Sequence, residues 1–384
     1  MRHHNSVFHA LTKLVPWSVF EELVEEYGAD HRVRRLTTKS QFLALLFGQL
    51  AGARSLREIE AGLSSHQARL YHLGARRPAR STLADANASR PWQLFADLFA
   101  HMVGQANRAT KRHLADVTRI LDATKVKLSP ASADWARFSA QHCAAKLHLV
   151  YDPDTAMPLR AVVTSDTVND ITPAKAMPVE AGATYVFDLA YYDYGWWANL
   201  DAQGCRIVTR LKTNSPLTVV AERPVPEGAN IVSDRIGQLS ARLSRSRRNP
   251  LQKPVREIVV RTAKHKTLRL VTNDLDVPAE EIAELYKQRW QIELFFKWIK
   301  QNLKIRHLLG TSHNAVCIQL FVALIAYLLI RMAQANQTAI TQTLKFCRLV
   351  RLNLMHRRNI NQLEKPDQPP PKDLRQIKLP LIQC

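Results

Sequence analysis

Apolar positions change period twice along this chain, and the changes divide it. Up to about residue 112 they recur at helical spacing, as in WSVFEELVEEY (17–27) and TKSQFLALLFGQLAG (38–52). Ser55 followed by Glu58 is a capping-box pattern opening LREIEAGL, and HQARLYHL supplies another helix-sized piece. From about 114 the apolar runs shorten. Segments 119–128, 145–151 and 159–165 predict three strands separated by turn-like stretches. A helix-compatible piece (171–177), a strand (184–188), a second helix (194–200) and a fifth strand (206–212) follow. Further strand-like runs at 217–221, 256–261 and 268–272 surround a basic loop, RLSRSRRNP (242–250). After about 278 helical spacing returns. The apolar run 316–330 is short for a membrane span and contains Gln319, so it predicts a buried core helix.

The middle order, β-β-β-α-β-α-β and then a long helix, is that of a ribonuclease H-like α/β domain: three antiparallel strands with parallel additions. In that topology the first and fourth strands are neighbours at the sheet centre. Asp122 lies inside the first, after Ile120 and Leu121, and Asp188 closes the fourth, after Tyr185, Val186 and Phe187. An acid in either place is unfavourable unless paired or bound to a cation. Asp193 competes with Asp188 in the same YYDYG segment, although its place suits a cap for the helix entered at Tyr194.

A third acid sits in the helical stretch YKQRWQIELFFKWIK (286–300). On one α-helix, Tyr286, Arg289, Glu293, Lys297 and Lys300 fall within about 80° of arc. Leu285, Ile292, Phe296, Ile299 and Leu303 form an apolar face beside them, so the charged stripe is expected at the edge of a core. Three carboxylates from 122, 188 and 293 would make an oxygen-rich site suited to Mg²⁺ or Mn²⁺. Trp290 and Trp298 are candidates for stacking on an unpaired base, or for packing alone.

Charge points the same way. Over 384 residues the net charge is +21 and the sequence pI about 10.1, the footprint of a polyanion partner, most simply nucleic acid. In the N-terminal region, Arg76, Arg77 and Arg80 precede Ser81, Thr82 and Leu83. A short helix capped by Ser81 would turn its N-terminal amides, with Arg80 and Thr82, toward phosphate. The five cysteines are scattered, without C-x-x-C spacing. That argues against a disulfide framework or a structural zinc and suits a reducing cytosol. No signal-peptide pattern opens the sequence.

These residues together resemble the DDE transposases of bacterial insertion sequences, in the group marked by Y-x2-R-x3-E-x6-K. Tyr286, Arg289, Glu293 and Lys300 complete that motif, and LDATKVKL and FDLAYYDYGWW are similar to the family's first two acid-bearing blocks. The resemblance covers about 114–345 and implies a ribonuclease H-like catalytic domain in two parts, 113–212 and 278–345. A β-rich insertion at 213–277 would separate them, with an all-α DNA-binding domain at 1–112 and a basic C-terminal tail at 346–384. It also implies Mg²⁺-dependent cleavage and strand transfer of element ends, by cut-and-paste chemistry through hairpin ends. Asp122, Asp188 and Glu293 would hold two ions, Mn²⁺ being able to substitute. Tyr286, Arg289, Lys297 and Lys300 would bind phosphates beside the cut. The implied partners are element ends and target DNA, bound by a homodimer in the bacterial cytoplasm, on the nucleoid, with no membrane. A catalytically inactive DNA-binding relative, or a nuclease of the same fold without strand joining, are the alternatives.

Overall fold

A computed structural model describes residues 5–108, 117–139, 142–225, 230–242, 248–262 and 266–364. Part of the basic loop (243–247) and the Pro-rich end of the tail lie outside them.

The N-terminal third is helical: α1 (Val7–Thr12), α2 (Trp17–Glu26), α3 (Thr38–Ala51), α4 (Leu56–Ser65), α5 (Gln67–Leu70), α6 (Arg80–Ser89) and α7 (Gln93–Arg108). The capping expectation at α4 holds in a shifted form. Ser55 accepts from the Glu58 amide at 3.1 Å, while the Glu58 carboxylate takes the Arg54 amide at 2.9 Å. Close approach of α3 and α4 depends on glycine: a Cβ at Gly48 would fall 2.5 Å from Ile59.

Among the described residues the chain then builds one sheet of ten strands. In order come β1 (Thr118–Leu128), the short helix α8 (Ala133–Ala136), β2 (Arg137–Ser139), β3 (His142–Asp152) and β4 (Met157–Ser165). Next are α9 (Ile171–Ala176), β5 (Thr184–Val186), α10 (Tyr194–Ala202) and β6 (Arg206–Arg210). β7 (Leu217–Glu222), β8 (Ile231–Leu239), β9 (Val255–Arg261) and β10 (Thr267–Thr272) follow. β3 pairs antiparallel with both β1 and β4, whereas β5 lies parallel to β1 and β6 parallel to β5. This is the predicted ribonuclease H-like order. The strands expected as an insertion extend the same sheet, because β10 pairs antiparallel with the free edge of β6. β8 was not expected. Its middle carries Asp234, a charge that reads as a loop residue in sequence but is buried on Arg256, at 2.8 and 2.7 Å.

Among the described residues four α-helices follow: α11 (Ala279–Gln288), α12 (Trp290–Asn302), α13 (His313–Ala335) and α14 (Thr343–Asn353). α13 contains the predicted apolar core segment. It is long and apolar enough to cross a membrane, but most of it is buried inside the protein. It packs against α3, α6, α7, α14 and β4, so one hydrophobic core joins the helical region to the sheet. Trp92 stacks on Phe321 at 5.7 Å, and the Asn314 side-chain amide donates to the Asn87 carbonyl at 2.9 Å.

The stretch expected as a single helix is two. Around Arg289 the backbone tightens to i−3 bonds: its amide donates to Tyr286 and the Ile292 amide donates to Arg289 itself, at 3.2 and 3.3 Å. α11 thus lies against β6 and β8–β10, while α12 turns onto β1.

Candidate active site

β1 and β5 set the position of two acids. Ile120 pairs with Val186 in parallel register, and Asp122 and Asp188 each follow two residues later. Asp122 is still within β1 while Asp188 lies just past the end of β5, capping a short 3-10 turn, so the two acids sit at the same level of neighbouring strands. Each is steadied by local backbone: Asp122 accepts from the Ala123 amide and Asp188 from the Ala190 amide, both at 2.8 Å. Asp193, the competitor, caps α10 by accepting from the Trp196 amide at 2.8 Å and pairs with Lys175 at 2.6 Å.

α12 brings the third acid. Its buried side (Ile292, Phe295, Phe296 and Ile299) faces the sheet, and Phe295 meets Tyr151 of β3 at 5.2 Å. Glu293 lies on the adjoining face. At the far end Lys300 donates to Thr124 at 2.5 Å, two residues beyond Asp122 on the same face of β1. Thr124 was missed in the sequence, though that i+2 spacing was a usable sign.

Arg289 joins the parts. Its guanidinium donates to Asp122 at 3.2 Å and to Glu293 at 2.6 Å, and lies 5.9 Å from the Tyr286 ring and 5.5 Å from that of Trp290. The family resemblance implied phosphate as the partner of this arginine; here its guanidinium lies on Asp122 and Glu293. Tyr286 is buried and Lys297 exposed. Trp298 packs edge-on to Tyr327 at 5.2 Å, whereas Trp290 is 58% exposed.

Burial dominates the electrostatics here. It pushes the Asp122 carboxyl up to about 7, with Asp188 and Glu293 adding to the rise and the Ala123 amide and Arg289 opposing it. The guanidinium does not cancel the effect, since it shares its charge with Glu293 at the shorter contact. Lys300 is lowered, mainly by burial and then by Arg306. Three carboxylates of this kind suit a hard divalent cation in donor chemistry and in the charge they lack. They were expected to converge. Among the described residues, however, no three His, Cys, Asp or Glu side chains are gathered closely enough to hold a metal ion. Arg289 lies between two of the three, Asp122 and Glu293.

A second polar cluster lies in the helical region. The loop 31–35 presents His31, Arg32, Arg34 and Arg35, all exposed, to a groove of about 700 Å³ that α6 closes with Thr82 and Asp85. Arg32 takes a left-handed φ of 58°, which turns the chain sharply there. Arg80, Ser81 and Thr82 occupy the first turn of α6 and are exposed, but Ala79, not Ser81, is the capping position and supplies no side-chain cap. Ala79 is already extended, so the helix starts one residue before the serine. Sequence reading missed the three loop arginines because they lie some 45 residues before α6 and converge on it only in the fold.

Comparison with known proteins decides the family. The model of a transposase DDE domain matches residues 113–329, more than half the chain. The chain belongs to the DDE transposase family. As a transposase it is an enzyme of DNA cleavage and strand transfer, and the family generally uses divalent metal ions. Residues 3–76 match a domain of unknown function. The transposase is 40% identical over 293 residues to a Sinorhizobium fredii protein named as transposase y4zB, covering 75% of this chain and 81% of that one. It is 29% identical over 335 residues to a Geobacillus stearothermophilus protein named as the transposase of insertion sequence element IS5377, covering 86% and 85%. A looser structural likeness is to a piggyBac transposase synaptic complex with hairpin DNA. The TM-score is 0.46 and the identity 13%, over 91% of this chain and 80% of that one.

Proposed function

We propose that this transposase cuts the ends of its insertion sequence and transfers them to target DNA at a centre formed by Asp122, Asp188 and Glu293. The observation that carries this reading is the register of β1 and β5, which brings two acids to the same level, with α12 packed on β1 carrying the third. Asp122, Asp188 and Glu293 would hold Mg²⁺, or Mn²⁺ in its place, as two ions. Bound there, the ions would neutralise charge at the phosphorus and activate the attacking hydroxyl.

The remaining side chains bind and orient DNA. Lys300, fixed on Thr124, and the exposed Lys297 offer cations to the phosphates flanking the scissile bond. Tyr286 supports Arg289 at the edge of the site. Away from the centre, Arg80, Ser81 and Thr82 with the groove of Arg32, Arg34 and Arg35 grip the element end. In the cut-and-paste reading, a freed 3′-hydroxyl attacks the opposite strand to leave a hairpin, which is reopened before target joining. The working form is a homodimer on DNA in the bacterial cytoplasm, on the nucleoid and without a membrane partner.

The test is cleavage of labelled element ends with Mg²⁺, read on a denaturing gel. Asp122→Asn, Asp188→Asn and Glu293→Gln are each expected to lose cleavage by more than about 10²-fold while still binding DNA. Cleavage retained in any of them removes that residue from the centre. Linear ends without hairpins would remove the hairpin step alone.

A further inference from the structure

We infer that Arg289 is a placeholder cation: it holds Asp122 and Glu293 in the metal-free protein, and arriving DNA draws it away so that the acids can take metal. The inference rests on the reading of Asp122, Asp188 and Glu293 as the metal-holding set. Three observations support it. One guanidinium spans two of the three acids, at 3.2 and 2.6 Å. It cannot yield by losing its proton, so it and a metal ion between the same oxygens exclude each other. Its Nε is buried and has no hydrogen-bond partner among the described residues. The group is thus under-satisfied where it stands and has donor capacity left for another acceptor.

Position supplies the means of exchange. Arg289 lies at the break between α11 and α12, where the hydrogen-bond ladder is already interrupted, so a small local rotation displaces it without unwinding either helix. A phosphodiester offers a guanidinium the same two-oxygen geometry as a carboxylate. Exposed Trp290 and Lys297 mark the open side of α12 from which a DNA strand would come. The consequence is that metal loading and DNA binding are coupled through this side chain, and Asp122 and Glu293 stay engaged by Arg289 off DNA.

Two measurements on the full chain test this, neither of them activity. In the first, Mn²⁺ binding without DNA is followed by the electron paramagnetic resonance of free Mn²⁺. Arg289→Gln should bind Mn²⁺ about tenfold more tightly than wild type or more, and Arg289→Lys should fall between them. Equal or weaker binding in Arg289→Gln would mean the arginine merely holds the acids in place, and overturns the proposal. The Asp122→Asn/Arg289→Gln double variant should lose the gain. If Asp122→Asn weakens Mn²⁺ binding but Arg289→Gln does not strengthen it, the metal reading stands and the placeholder fails. If no variant binds Mn²⁺, both fail. The second measurement needs neither metal nor a tight-binding variant: DNA affinity in EDTA by fluorescence anisotropy. Glu293→Gln should raise it severalfold by releasing Arg289, and that gain should shrink in the Arg289→Gln background. A gain of the same size in both backgrounds reflects lost negative charge alone and overturns the coupling.

Discussion

Asp122, within β1, and Asp188, just beyond the end of the parallel neighbour β5, each lie two residues past the paired Ile120 and Val186. Asp122 shares the Arg289 guanidinium with Glu293, at 3.2 and 2.6 Å. The site is therefore electrostatically unfavourable as it stands, a common condition where function rather than stability sets the residue.

That condition has a pH signature. The folded-state pKa of Asp122, about 7, exceeds the ordinary carboxyl value, so the native state holds more protons than the unfolded chain between roughly pH 4 and 7. The contribution of this group to stability is therefore greatest at the acid end of the window and is lost as pH rises through 7. Asp122→Asn should gain thermal stability relative to wild type as pH is raised from 5 to 8 in EDTA, by calorimetry. A gap that stays constant with pH would show that Asp122 is ionised throughout.

His148 carries the opposite dependence. It is buried on β3 with its Nε2 at 2.9 Å from the Thr164 hydroxyl, and burial lowers its pKa to about 4, partly opposed by Asp170 and helped by Lys146. The unfolded chain takes up a proton near pH 6.5 that the native state refuses until about 4, so stability falls as pH drops through that window. The loss amounts to about 2–3 kcal/mol by pH 4. His148→Gln should flatten the dependence of the melting temperature between pH 6.5 and 4.

At the N-terminal groove the expected effect is on binding. Replacing Arg32, Arg34 and Arg35 by Ala removes three exposed cations beside α6. Affinity for element ends should fall, and the slope of log affinity against log salt should become shallower by up to about 2.7 if all three meet phosphate. An unchanged slope would place DNA elsewhere on the helical region.

How much of this was legible beforehand depends on the reach of each signal. Strands 119–128 and 184–188 and the capping role of Asp193 were readable because period and capping are local. The register bringing Asp122 level with Asp188 followed from topology. The break at Arg289 was not legible, because a helical run without Gly or Pro gives no local warning, and the contact Arg289 makes there is with Asp122, 167 residues away. β8 was lost for a like reason: Asp234 is tolerable in a strand only because Arg256 meets it from the next one.

That last pair gives a stability prediction. Arg256 and Asp234 are both nearly inaccessible, with side chains 2% and 3% exposed, and they join β8 to β9 by two hydrogen bonds. Arg256 also donates to the Val277 carbonyl, just before α11, so it ties the outer strands to the helix that leads into Arg289. Asp234→Ala strands a buried guanidinium and should cost about 3–5 kcal/mol in chemical denaturation. Replacing both residues with apolar ones of similar volume should recover much of that loss, since the unpaired charge, not the missing attraction, carries most of the penalty. If the double replacement is as unstable as Asp234→Ala, the hydrogen bond from Arg256 to Val277 is what the outer strands depend on.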